Sequence, residues 1–503
     1  MVDFRDGEAK RVFISPLDRL NALVYLHWSL VLHAPNLDEA IQRLAKGLSK
    51  LGTAVPYLKG RVSYPTEVSE DEVSLTTRLV ISWSPDDDPD LKLQEHHMAN
   101  KLPSLATMKG SGAPAHFFPT DIVSLPLFVD VSSRSPQPVF EATYIPLEDG
   151  GLVLNMCVHH GVMDGRGLAT LTEMWADFTR RSNGTEAKAS LARFPDPEEP
   201  LARSARLVAA ASANGAGGAV SLEDLVQRYQ TDHAFGQNLM ALLSMTAAGP
   251  KCASRIFTFS GAKLEHAKKV LTDQSEISWP VTINSILNAI IWSSITYIRL
   301  RWRHQKPATD LSRFSLAVDG RKRLDRAIDE PGPYLGNVVL ISSVDMPLDI
   351  LNAAGAHSSS NAIASLAPVV QVVADAAARI TKDHISGLLS ALQQVQDTSD
   401  VGPGWLSPHR VNFMASSWAN LPLYECDFGP AFSGDSSDGS KAPGTPVFVR
   451  YPYADYNDGN IVVLPRRRTL PGEDEAIEVY VMLAEEDLVA LDQYDSFRSW
   501  LKM

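Results

Sequence analysis

Cysteine is scarce in this chain. Only three occur in 503 residues, Cys157, Cys252 and Cys426. They are too scattered for a disulfide framework or a C-x-x-C metal site, so a reducing compartment is expected. No run approaches 18 apolar residues, and the opening MVDFRDGEAKRV lacks the apolar core of a secretory signal. Positive charge is short as well. With 46 Lys and Arg against 59 Asp and Glu the net charge is −13, which argues against nucleic acid or an anionic membrane as the main partner. What remains is 45% hydrophobic and 21% charged, an ordinary globular balance with ample length for a full core. At about 150 residues per domain three domains are expected, and two large lobes fit equally well. An intracellular enzyme of small molecules is the expected class.

Helical and strand patterns alternate along the chain, which excludes all-α and all-β classes. Asn36, followed by Glu39, reads as a capping box opening a helix with Ala40, Ile41, Leu44, Leu48 and Leu51 on one face. Residues 77–83 and 151–158 read as strands, with the acidic SPDDDPD at 84–90 as a loop between them. Leu168, Leu171, Met174, Trp175 and Phe178 mark another helix. Residues 183–220, with FPDPEEP, an Ala-rich run and NGAGG, read as a linker. Helical patterning is expected over 221–246 and 282–301, and strands over 255–260, 461–465 and 476–483, the last followed by a short acidic helix. GPAFSGDSSDGSKAPGTP at 429–446 has loop composition. The expected organisation is two α/β lobes joined near 185–220, with no internal repeat.

One constellation carries chemistry: His159-His160-Gly161-Val162-Met163-Asp164-Gly165. A bare H-x-x-x-D is uninformative, because 13 His and 37 Asp in 503 positions supply about one by chance. Its context is informative. The motif follows an apolar strand and leads into an amphipathic helix, the kind of junction where α/β proteins expose reactive side chains. Histidine is also the side chain best suited to proton transfer near neutral pH. His160 reads either as a general base or as a satisfied histidine in a turn. Asp164 reads either as a carboxylate orienting the imidazole or as a salt-bridge partner shaping the turn. His159, pointing to the opposite face, reads as structural. No G-x-S-x-G elbow, H-E-x-x-H or P-loop occurs. NGAGG at 214–218 lacks dinucleotide spacing, Asp427-Phe428-Gly429 lacks the companions of a kinase site, and His96-His97 has no partner cluster, so no metal site is expected.

HHGVMDG at 159–165, taken with SSWANLPLYECDFG at 416–429, resembles the BAHD acyltransferases, in particular their fungal branch. VTINSILNAIIWSSI at 281–295, AVDGRKRL at 317–324, YLGNVVL at 334–340 and GTAVPYLKGRV at 52–62 agree with it in order and spacing. The resemblance implies an α/β fold of two chloramphenicol-acetyltransferase-like lobes, mixed sheets flanked by helices, with a channel between them. The implied lobes are 1–184, completed by 411–440, and 221–503, with the crossover at 185–220. His160 is then the general base in mid-channel, and Asp164 turns away to pair with Arg321 or Arg323. Gly165, Asp427 and Gly429 become structural. The family's D-F-G-x-G is here Asp427-Phe428-Gly429-Pro430-Ala431, which alters that turn because Pro430 fixes φ and removes a donor.

The same resemblance implies direct transfer of an acyl group, acetyl above all, from acyl-CoA to a hydroxyl or amine of a hydrophobic secondary metabolite. No covalent enzyme intermediate and no tightly bound cofactor or metal is implied. Ser416 and Trp418 are implied as oxyanion donors. Gly336 and Asn337 are implied on the CoA side; Lys263 and Arg321, with Lys268, Lys269, Lys322 and Arg323, read either as the positive charge that CoA's phosphates need or as solvated surface charges. A cytoplasmic monomer is the expected state. Carrier-protein-dependent transfer, CoA-independent cyclisation and a non-catalytic binding protein are the competing readings.

Overall fold

GLVLNMCVH, residues Gly151–His159, is buried along its whole length, as a strand covered on both faces must be. In the computed structural model it is the centre of a five-stranded sheet. The order is Phe448–Arg450, Tyr25–His33, Gly151–His159, Phe140–Pro146, Gln94–Glu95. The structure describes residues 9–502 except 22–23, 64–78, 85–89, 130–134, 183–193, 197–198, 213–220, 236–248, 274–279, 303–308, 357–360, 396–400, 404–411, 434–443, 456–457 and 468–472. Most of the SPDDDPD run, NGAGG and the centre of the 429–446 loop thus lie outside the described residues.

Alternation decides what each face of the central strand meets. Leu152, Leu154, Met156 and Val158 join the main core of the first lobe, with Leu44, Leu48 and Leu51 of the helix Leu37–Ala54 and Leu168, Leu171 and Trp175 of the helix Gly165–Arg180. These two helices lie close. A Cβ on Gly47 would sit 2.3 Å from Thr179 Oγ1, and Trp175 Nε1 donates to the carbonyl oxygen of Leu44 at 2.9 Å. Asn36 caps the first of them by accepting the Glu39 N–H, while the Glu39 side chain turns to Arg43 instead of closing the expected box. On the opposite face Val31 and Val153 pack against Leu105, Met108, Phe118 and Ile122.

The second lobe is a six-stranded mixed sheet ordered Cys252–Ser260, Ala476–Ala484, Asn460–Val463, Asn412–Ser417, Leu311–Asp319, Val339–Pro347. The helix Ile283–Trp302 backs it, placing Ile286, Ile290, Ile291, Trp292 and Ile295 against Phe413, Ile461, Val463, Val479 and Val481. The lobes are not separately packed. Val462, Tyr480 and Met482 of the second sheet belong to the core of the first lobe. Arg450, fully buried, pairs through both terminal nitrogens with Glu478, at 3.0 and 2.7 Å.

Three expectations need correction. The strand that completes the first sheet is Phe448–Arg450, paired with Tyr25–His33, not 411–440. Within 411–440, Asn412–Ser417 lies inside the second sheet, parallel to both neighbours, while Trp418, Leu423, Phe428 and Phe432 insert into the first core. The 185–220 segment contains a helix, Glu199–Ala211, which buries Arg203, Leu207 and Ala210 against the rest of the chain. Helical structure after 221 covers Leu222–Tyr229 and gives way to the strand His233–Phe235; 236–248 are outside the described residues.

Candidate active site

Strand geometry ends at His159, whose ring returns to its own turn. His159 Nδ1 accepts the Gly161 N–H at 3.2 Å, and the ring meets Tyr25 edge-on. Burial lowers its pKa to about 3, so it stands neutral. His160 is the next residue and leaves the sheet. Its N–H donates to the Val24 carbonyl oxygen, which anchors the backbone while the half-buried side chain turns toward the second lobe.

There it meets Asn337, fully buried in the segment before the edge strand Val339–Pro347. Asn337 Nδ2 donates to the carbonyl oxygen of His160 and to Asp18 Oδ1, both at 2.7 Å. Both amide hydrogens are thereby committed, so Oδ1 can only accept. It lies 3.1 Å from His160 Nδ1. The imidazole must therefore carry its proton on Nδ1, which leaves the Nε2 lone pair to take one. Burial lowers the His160 pKa, against the opposing pull of the ring's hydrogen bonds and the charges of Asp164 and Asp18. The ring is neutral at neutral pH.

Asp164 does not orient the imidazole. It caps the helix Gly165–Arg180, its Oδ1 accepting from the N–H groups of Arg166 and Gly167 at 3.1 and 3.0 Å. Its partner is Arg321, not Arg323, in a bidentate pair at 2.9 and 3.0 Å. Val338 N–H adds a further bond to Oδ2. Burial opposes ionisation here, but Arg321 and the backbone donors outweigh it and hold the carboxyl below its usual range. Arg323 instead donates to the Ile380 carbonyl oxygen. The second half of the motif is a clamp between lobes.

The four residues expected on the CoA side have other contacts. Arg321 is enclosed by Asp164, Asp319 and the carbonyl oxygens of Tyr334 and Gly336. Asn337 holds His160. Gly336 is buried where a Cβ would come within 2.6 Å of Arg203 Cδ. Lys263 places its ammonium on the carbonyl oxygens of Ser499 and Leu501 and ties down the chain's last residues. Ser416, half-buried, sits opposite Val462. Trp418 spends its N–H on Val463, and its indole Nε1 lies 3.8 Å from where a Cβ on Gly165 would stand. Gly165 itself has room for a side chain; the sterically required glycine is Gly167, where a Cβ would lie 2.2 Å from the Leu335 carbonyl oxygen. Asp427 Oδ1 accepts from Gly429 and Gly444, and Gly429 adopts φ +94. Pro430 then opens a single 3-10 turn, Pro430–Phe432, so the altered block keeps a defined shape.

Sequence reasoning missed the layer behind Asn337. Asp18 and the pair Glu199 and Arg203 are buried there. Arg203 donates to Glu199 at 3.1 and 2.7 Å, to Tyr57 and to the carbonyl oxygen of Val162 inside the motif. Glu199 and Arg203 stand four apart, a helical ion-pair spacing that was readable within 185–220. Ser15-Pro16-Leu17-Asp18 is a readable capping box with Pro at the first turn.

Comparison with known proteins identifies the family. Residues 115–497 match the Transferase family, and residues 24–177 match the trichothecene 3-O-acetyltransferase-like N-terminal domain. The chain is 48% identical over 494 residues, 98% of each chain, to a trichothecene 8-O-acetyltransferase of Fusarium sporotrichioides. It is 25% identical to an O-acyltransferase of Monascus ruber, over 90% of this chain and 89% of the other. The same fold is found in F. sporotrichioides TRI101, solved with coenzyme A and T-2, at TM-score 0.72 and 19% identity over 98% of this chain and 99% of that one. With a two-lobe α/β fold, the H-x-x-x-D-G loop at the lobe junction and these relatives, the chain belongs to the BAHD-type Transferase family and is an acyltransferase.

Proposed function

We propose that this enzyme transfers an acetyl group from acetyl-CoA to a hydroxyl of a hydrophobic fungal metabolite of the trichothecene type, with His160 as general base. The observation that carries the reading is the His160–Asn337 contact. It leaves Nε2 of a neutral imidazole as an acceptor at the junction of the lobes, in a chain 48% identical to a trichothecene O-acetyltransferase. Nε2 takes the acceptor's hydroxyl proton as its oxygen attacks the thioester carbonyl carbon. The C–S bond then breaks, and the imidazolium returns the proton to the departing thiolate. A positioned base of this kind contributes about 10²–10⁴-fold.

Ser416 and the Trp418 indole are the proposed donors to the tetrahedral oxyanion. The indole's position beside Gly165, at the start of the helix that follows the catalytic loop, supports this. Loss of one such donor costs about 3 kcal/mol in other enzymes. The low cysteine content, three in 503 residues, supports a reducing compartment such as the cytoplasm.

The test is to incubate the purified protein with acetyl-CoA and a trichothecene bearing an unesterified hydroxyl. Alcohol-dependent release of the CoA thiol, with a monoacetylated product by mass spectrometry, is expected. Product formed only from a carrier-protein thioester would replace acetyl-CoA as donor.

A further inference from the structure

We infer that Asp18 is the carboxylate that serves His160, as a positioning residue acting through Asn337, in the role the motif's own Asp164 does not fill. The inference rests on His160 being the base.

Asp18 Oδ1 receives two bonds from one residue, the backbone N–H of Asn337 at 2.8 Å and its side-chain Nδ2 at 2.7 Å. That double grip fixes which way the amide faces. With Nδ2 held on Asp18 and on the His160 carbonyl oxygen, Oδ1 is presented to His160 Nδ1. A flipped amide would set an N–H against the ring and a carbonyl oxygen against a carboxylate. Asp18 therefore chooses the tautomer that puts the lone pair on Nε2, two hydrogen bonds away from itself.

The carboxylate is in turn held on its far side. Oδ2 accepts the Ser15 N–H at 3.0 Å, and Arg203 Nη1 stands 3.7 Å away. Burial raises the Asp18 pKa, while the Arg203 cation and the bonds from Asn337 and Ser15 oppose it and favour the charged form. Arg203 also bonds Val162, so one guanidinium on the crossover helix braces both the loop that bears His160 and the carboxylate that orients it. When His160 becomes an imidazolium during transfer, the chain Nδ1–H to Asn337 to Asp18 ends on a negative charge. This is the arrangement that stabilises a protonated ring without sharing its proton.

The test compares Asp18→Asn, Asn337→Ala and their double variant with the wild type. The charges whose fields reach His160 are those of Asp164 and Asp18, with His159 its neutral neighbour; those that reach Asp18 are Arg203 and Arg19, with Tyr57 and Tyr334 nearby. Loss of the Asp18 charge removes support for the imidazolium, so the acid limb of kcat/KM should move to lower pH. kcat should fall about 10- to 100-fold, the range seen for outer partners of metal-bound histidines, with KM for both substrates within about threefold. The double variant should lose no more than the worse single one. In protein with 15N-labelled histidine, the His160 signal, assigned by its loss in His160→Ala, should report protonation on Nδ1 in the wild type and a mixed tautomer in both single variants.

A purely structural Asp18 would lower the melting temperature with limb and tautomer unmoved, and that result overturns the inference. If Asp18→Asn does not fold, Asn337→Ala decides alone: a wild-type tautomer and kcat there overturn it. Turnover surviving in His160→Ala would instead remove the general-base reading itself, a separate outcome.

Discussion

Asp164 turns its carboxylate away from His160 and onto Arg321, Oδ2 to Nη1 at 2.9 Å and Oδ1 to Nη2 at 3.0 Å. Asp164 ends the first lobe's H-x-x-x-D loop, and Arg321 follows a strand of the second lobe's sheet. The two halves of the H-x-x-x-D motif therefore do different work. On the proposed mechanism His160 supplies the lone pair, while Asp164 fastens the loop that carries it across the junction.

Asp164→Asn should accordingly act on stability as well as rate. It leaves a buried arginine facing a neutral amide, a change that costs about 3–5 kcal/mol. A clear fall in melting temperature or in the urea midpoint is the expected result. An unaltered midpoint with lost activity would return Asp164 to a role on the imidazole.

Gly167 and Gly165 should separate under the same substitution. At Gly167 an alanine methyl meets the Leu335 carbonyl oxygen at 2.2 Å, a backbone contact that cannot yield without parting the lobes. Gly167→Ala should cost about 1–3 kcal/mol. At Gly165 the nearest atoms are 3.7 Å or more away, so Gly165→Ala should keep the wild-type melting temperature. Equal melting temperatures for the two variants would contradict this packing.

Acid should destabilise the fold before it protonates any clamp carboxylate. Burial lowers His27 and His233 to about 4 and His159 to about 3. These groups are neutral in both states above about 6.5, the ordinary histidine value. Below it the unfolded chain takes up protons the native chain refuses. Stability present above 6.5 is thus lost as pH falls toward 4, by up to about 1.4 kcal/mol per pH unit for each histidine. Melting temperatures at pH 7.5, 6 and 5 should fall in that order; a flat profile would mean these rings are protonated in the native state.

Much of the fold was legible from spacing alone. The helices Leu37–Ala54 and Ile283–Trp302 follow from apolar residues on one face, and His160 and Asp164 from a motif set between strand and helix. The choice between Arg321 and Arg323 was not legible, because two arginines two residues apart differ only in which way a 3-10 turn points them. Phe448–Arg450 was missed because its partner, Tyr25–His33, lies more than 400 residues earlier and three residues carry little periodicity. The Glu199–Ala211 helix was hidden by the prolines before it, and with it Arg203. Asp18 reads locally as a capping residue, and its second duty on Asn337 exists only once the lobes meet.

The most direct measurement is the turnover of His160→Ala, followed as thiol release from acetyl-CoA in the presence of a trichothecene alcohol. With the circular dichroism and melting temperature of the wild type, the variant should lose about 10²–10⁴-fold in kcat. Near-normal kcat in a folded His160→Ala protein would contradict the assignment of His160 as the base.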